Sequence, residues 1–172
     1  MASTYLTRTP SSAGNRQKWT WSAWIKFGVL GTDRNLFGAY AHANDNFKIN
    51  VADTDSMSVR FYNGSEYLLG LNRVFRDVNA WYHLVFAVDT TLATSGDRFK
   101  IYVNGVRETS FSAEAQPTQN LQMTINDTTA MQIGRFNTGS YFDGSISHIH
   151  LIDGTAYDAS AFGETDATTG EW

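Results

Sequence analysis

Trp19-Thr20-Trp21-Ser22-Ala23-Trp24-Ile25-Lys26-Phe27 is the stretch whose reading decides the fold. At a period of two, Trp19, Trp21, Ala23, Ile25 and Phe27 share one face, and Thr20, Ser22 and Lys26 share the other. That is the pattern of a half-buried strand, not of a helix. Trp24 is the exception, a large aromatic on the polar face. Outward from this stretch the same alternation recurs at residues 35–40, 47–51, 57–61, 82–88, 99–103, 106–111, 131–135 and 144–152. In the last of these, Ile146 followed by Ile149 and Leu151 breaks strict alternation and predicts a bulge near Ser147. Asn63-Gly64 and Asn104-Gly105 predict two-residue hairpin turns of type I′, whose central residues both need positive φ. No long segment repeats apolar residues at three and four. About a dozen short strands without intervening helices must stack as two sheets, so the fold class is an all-β, two-sheet antiparallel sandwich.

A chain of 172 residues fits one domain. Residues 1–16 read as an N-terminal edge segment, and 156–172, rich in Asp, Thr, Gly and Ala, as a surface return or linker. Apolar residues at 42% and aromatics at 14% supply a packed interior and exclude a disordered chain. The 13 basic and 17 acidic residues are scattered without blocks, so no charged stripe exists to follow a phosphate backbone, and nucleic acid is not an expected partner. No run approaches the roughly 20 apolar residues that span a bilayer, and Met1 to Arg8 lacks the apolar core of a signal peptide. With no cysteine there is neither a disulfide framework nor a thiolate metal site, and stability must come from packing.

Four motifs stand in order along the chain: the opening strand Trp19 to Lys26, then Trp81-Tyr82-His83-Leu84-Val85-Phe86-Ala87-Val88-Asp89, then Ile101-Tyr102-Val103-Asn104-Gly105, then Phe142-Asp143-Gly144-Ser145-Ile146. This series resembles the concanavalin A-like jelly rolls, and within them the laminin-G-like and pentraxin-like group. The two end segments, Tyr5 to Arg16 and Phe162 to Trp172, are similar to segments that recur in tail-fibre and other virion proteins of bacteriophages. The resemblance implies a virion-surface location, with host attachment, capsid decoration or fibre assembly as the task, and a module that is usually one part of a longer chain. Relatives with laminin-G-like folds often hold calcium through loop acids. The loop acids here are Asp33, Asp45, Asp53, Asp55, Asp127 and Asp143, and no Asp-x-Asp-x-Asp-Gly loop is present.

Glycosidases of this fold need carboxylates held side by side. The nearest set, Glu164, Asp166 and Glu171, lies in a Gly- and Thr-rich tail without the alternation that would fix its geometry. No Gly-x-Ser-x-Gly elbow or Gly-x-x-x-x-Gly-Lys loop occurs, so the chain reads as non-catalytic. His148 and His150, two apart, are expected to share a strand face, with His83 on the outer face of another strand; a solvated pair is the plainer reading than a metal site. Sugar binding needs an aromatic face for the CH side of a ring, with polar groups to fix the hydroxyls. Three loops carry both: Tyr40, His42, Asn44 and Asp45 in the first, Tyr62 and Tyr67 in the second, Arg135, Asn137 and Tyr141 in the third. Trp24 and Trp81, on outward faces, are read as interface residues covered by a loop or a neighbouring subunit, which suits a homo-oligomer such as a trimer, with sugar platforms as the alternative reading. The expected function is a virion-surface module that binds a host-surface glycan or receptor, as in a tail fibre. The alternative is a capsid-decoration or fibre-assembly module that contacts other virion subunits.

Overall fold

The computed structural model describes residues 4–172. Among the described residues twelve strands follow one another: β1 (Leu6–Arg8), β2 (Lys18–Phe27), β3 (Arg34–His42), β4 (Asp45–Val51), β5 (Ser56–Asn63), β6 (Ser65–Val74), β7 (Tyr82–Asp89), β8 (Phe99–Val103), β9 (Val106–Arg107), β10 (Phe111–Glu114), β11 (Met131–Ile133) and β12 (Gly144–Asp153). They form two antiparallel sheets, one of seven strands in the order β1-β11-β3-β4-β5-β6-β10 and one of five in the order β12-β2-β7-β8-β9. The expected two-sheet jelly-roll sandwich is what the chain adopts.

The period-two reading of β2 places its residues correctly. Trp19, Trp21, Ala23, Ile25 and Phe27 are all buried between the sheets. Trp19 meets Phe47 of β4 edge-on, centroids 5.4 Å apart, and Trp21 stacks on Phe37 of β3 at 5.7 Å, so the opening strand ties both sheets together. Burial of Ile25 and Phe27 contributes roughly 1.5–3 kcal/mol each. At one end of the core Arg34 is 1% exposed, 3.0 Å from the Asp55 carboxylate and over the Phe27 ring.

Three local expectations need correction. Asn104 (φ 47°) and Gly105 (φ 78°) both adopt positive φ, as a type I′ turn requires, but at the first Asn-Gly only Gly64 does (φ 73°). There the ladder runs on through Asn63, which pairs with both Asp45 and Ser65 and stays extended. The segment 106–111 is not one strand. After β9 the chain leaves the five-stranded sheet, Glu108 is buried against Arg73 of β6 at 2.5 Å, and β10 joins the edge of the other sheet. In β12 the pairing jumps from Ser147↔Trp24 to His150↔Ser22, so the bulge expected near Ser147 is present. His148 is the inserted residue, with φ 49°. Ser147 and His150 are the residues paired with the outer positions Trp24 and Ser22, so period two no longer relates His148 to His150, and both are exposed.

After β12 the chain turns back over the outer face of the five-stranded sheet. Thr20 Oγ1 donates to the Thr155 carbonyl (2.7 Å) and accepts from the Tyr157 N–H (2.7 Å). A single 3₁₀ turn, Ala159–Ala161, then buries Ala159.

Candidate functional site

The outer face of the seven-stranded sheet collects the polar halves of its alternating strands. Register fixes the rows: Gly38 of β3 lies opposite Lys48 of β4, Lys48 opposite Arg60 of β5, and Arg60 opposite Leu68 of β6. The next row is Tyr40, Asn46, Tyr62 and Glu66. Residues directly opposite have Cβ atoms about 4.5–5.5 Å apart, and like charges in that relation destabilise a sheet. Lys48 beside Arg60 is such a pair. Burial, and then the Arg60 charge, push the Lys48 ammonium below its ordinary pKa, with Asp33 partly offsetting them. Arg60 is steadied by Glu66 at 2.6 Å and by the Tyr62 hydroxyl, to which it donates, and its guanidinium lies over the Tyr62 ring.

The third predicted loop folds onto this face. Phe136 sits where Gly38 leaves room: a Cβ on Gly38 would come within 2.8 Å of the Phe136 ring and of the Phe47 carbonyl oxygen. The Phe136 ring meets Tyr40 edge-on at 5.6 Å and underlies the Lys48 ammonium at 5.5 Å. The surface therefore presents Tyr40, Phe136 and Tyr62 around two cations, with Asn50 and Ser58 paired in the neighbouring row. Aromatic faces suit the CH side of a sugar ring, and fixed cations suit a carboxylate.

The nine loop residues singled out from the sequence are distributed as follows. Tyr40 and Tyr62 lie on this face. His42 and Asn44 are exposed at the β3–β4 turn, where His42 Nδ1 accepts from the Asn44 N–H. Asp45 is half-buried and accepts from the Thr124 hydroxyl at 2.5 Å. Tyr67 is not at a loop tip: it lies on β6 opposite Phe61, 9% exposed and stacked 4.9 Å from that ring, because the ladder begins at Ser65 and period two then turns residue 67 inward. Arg135 lies with its guanidinium carbon 3.5 Å from the Tyr5 ring centre and 5.9 Å from that of Tyr141, in a cluster flanking β1 and β11. Asn137 is exposed within the short 136–139 turn. Lys48, Arg60 and Phe136 were not singled out. The first two stand at polar positions of strands that were correctly read, but only inter-strand register makes them neighbours.

Trp24 is half-buried and stacks on His83 at 4.9 Å, while Trp81 is 41% exposed. Both border a second depression, under the C-terminal segment. In that segment Asp166 accepts from the N–H groups of Thr169 and Thr168, which hold its carboxyl below the ordinary range. It closes its own turn and is not poised as a proton donor. Among the described residues no three His, Asp or Glu side chains converge as a metal-ligand set. Asp55 and Asp127, two of the loop acids, are engaged by Arg34 and Arg16.

No helix among the described residues is long and apolar enough to cross a membrane. Many solved structures resemble the fold, three of them as follows. The CBM40 of the Ruminococcus gnavus IT-sialidase, bound to α2,3 sialyllactose, superposes with a TM-score of 0.63 at 12% identity over 91% of this chain and 95% of that one. The native heptameric SAP-like pentraxin of Limulus polyphemus does so at 0.54 and 14%, over 84% and 68%. Domains LG4-5 of the mouse laminin α1 chain do so at 0.58 and 14%, over 86% and 38%. At such identities the likeness shows the fold alone. No curated protein matches the chain. A family model described as the concanavalin A-like lectin/glucanases superfamily matches residues 2–160, and the chain belongs to that superfamily.

Proposed function

We propose that the chain is a non-catalytic carbohydrate-binding module that recognises acidic glycans on the outer face of its seven-stranded sheet. The observation that carries this reading is the Lys48–Arg60 pair, two cations placed side by side at a cost in stability and framed by Tyr40, Phe136 and Tyr62. A carboxylate bound between them offsets their repulsion, while the aromatic rings take the apolar face of the sugar. The fold shared with a carbohydrate-binding module that holds a sialylated sugar supports the same ligand class. A non-catalytic role is supported by the tail acids, where Asp166 is tied into its own turn. The similarity of the end segments to phage virion proteins supports placing the module on a virion surface, attaching it to host glycans. Display in several copies would raise a weak single-site affinity by 10²–10⁴, on the order expected for linked sites.

The test is an array of acidic and neutral glycans probed with the wild-type chain and with Lys48→Ala and Arg60→Ala, each presented multivalently. Acidic glycans should be retained, with at least about a tenfold loss in either variant, equivalent to about 1.4 kcal/mol. No retention of any glycan by the wild type, or equal retention by the variants, removes the proposal.

A further inference from the structure

The outer face of the five-stranded sheet holds a second cleft, of about 560 Å³, within the ~300–1,000 Å³ span of small-ligand sites. Its aromatic walls are Trp24, Trp81 and Trp172, and Asn104, Thr165 and Glu171 supply polar groups. Trp172 is brought there by the returning C-terminal segment and is held by specific contacts. Its indole N–H donates to His83 Nδ1 at 2.8 Å, and the two rings are nearly parallel, 17° apart with centres at 5.7 Å. Since an indole nitrogen only donates, His83 Nδ1 is the acceptor, and Nε2 carries the proton it shares with Ser22 Oγ at 2.9 Å. Trp24 stacks on His83, so Trp24, His83 and Trp172 are linked by ring contacts. Gly105 makes room for the indole: a Cβ there would lie 2.2 Å from the Trp172 ring.

The geometry points to a second sugar site in this cleft, completed by the C-terminal segment and selective for a pyranose that carries no acidic group. Trp81, with 41% of its surface exposed beside Trp172, offers the ring face on which the CH side of a sugar stacks. Asn104 uses its Oδ1 to accept from the His83 backbone N–H at 2.7 Å, and its amide NH₂ remains a donor for a hydroxyl. Glu171 brings an acceptor with a negative charge, which repels a carboxylate and attracts an amine. The charge preference is thus opposite to that of the Lys48–Arg60 face. The site stands on separate residues of the other sheet and does not rest on the acidic-glycan reading.

The experiment follows the side-chain N–H resonances of the tryptophans in the full chain carrying Lys48→Ala and Arg60→Ala, while glucosamine, N-acetylglucosamine and N-acetylneuraminic acid are added in turn. Saturable shifts of the Trp81 and Trp172 indoles with the first two sugars, and none with the third, are expected. Trp81→Ala should abolish the shift at Trp172 while leaving acidic-glycan retention by the unmodified opposite face unchanged. Trp172→Ala should weaken glucosamine binding at least about tenfold. No saturable shift with either non-acidic sugar, or a shift that survives Trp81→Ala, overturns the proposal. So do indole shifts that depend on protein concentration without sugar, which would make the cleft a contact between copies of the chain.

Discussion

His83 is 2% exposed, and burial, with a smaller contribution from the His150 charge, pushes its pKa from 6.5 down to about 4. The folded chain therefore resists a proton that the unfolded chain accepts. Above about pH 6.5 both states carry a neutral imidazole and the full stability is present. As pH falls from 6.5 towards 4 only the unfolded state gains the proton, and stability declines. Below about 4 both states are protonated and this contribution stops changing. A fall from 6.5 to about 4 corresponds to a total of about 3 kcal/mol, of which roughly 2.5 kcal/mol is lost between pH 7.5 and 4.5. Protonation also places a second N–H opposite the Trp172 indole N–H, so the loss is coupled to release of that ring. Urea denaturation of the wild type and of His83→Gln at the two pH values isolates this contribution. Glutamine does not titrate, and groups such as Asp89, whose Lys18 and Thr91 partners hold its pKa low against the opposing effect of burial, change equally in both chains. The wild type should lose roughly 2.5 kcal/mol more than the variant over this interval. Equal losses in the two chains would refute the reasoning, whatever the absolute stability of His83→Gln.

Gly38→Ala forces Phe136 off the sheet or strains the Phe47 carbonyl; about 1–3 kcal/mol of stability should be lost in urea titrations, and acidic-glycan retention should fall with it. Asp55→Ala leaves the Arg34 guanidinium buried without its anion and should cost about 3–5 kcal/mol by denaturant unfolding, whereas replacing both, Arg34→Met with Asp55→Leu, should cost less. Gly105→Ala sets a methyl against the Trp172 ring at a backbone φ of 78°, so the indole must leave; the His83 pKa, read from its imidazole resonances, should then rise from about 4 towards 6.5.

Strand positions and faces were legible because period two is a local property. Trp19 to Phe27 shows which side of β2 is inside without reference to any other residue, and the same holds for Phe47, Ile49 and Val51. The bulge in β12 was legible for the same reason, since Ile146, Ile149 and Leu151 must all reach the core. What could not be read is what depends on pairing. Lys48 and Arg60 are ordinary polar positions until β4 and β5 are placed in register, and Tyr67 looks like a turn residue until Asn63↔Ser65 shows the turn to be tight. Composition marked residues 156–172 as a surface segment, but nothing local in Trp172 announces a partner at His83, 89 positions away. The exchange of sheets after Arg107 is not legible because residues 106–111 alternate throughout, and only the pairing of the buried Glu108 with the exposed Arg73 of β6 marks the crossing.

The bulge at Ser147 and His150 has a further consequence for how copies of this chain meet. β12 is the outermost strand of its sheet and runs for ten residues, long enough to serve as a template for open-ended edge-to-edge growth. Inserting His148 with a left-handed backbone breaks that edge into two short, mutually twisted pieces, neither of which offers a straight row of free backbone groups. Any contact between copies of this chain is thereby directed away from strand addition at this edge and towards side-chain surfaces, and open-ended fibril growth through β12 is disfavoured.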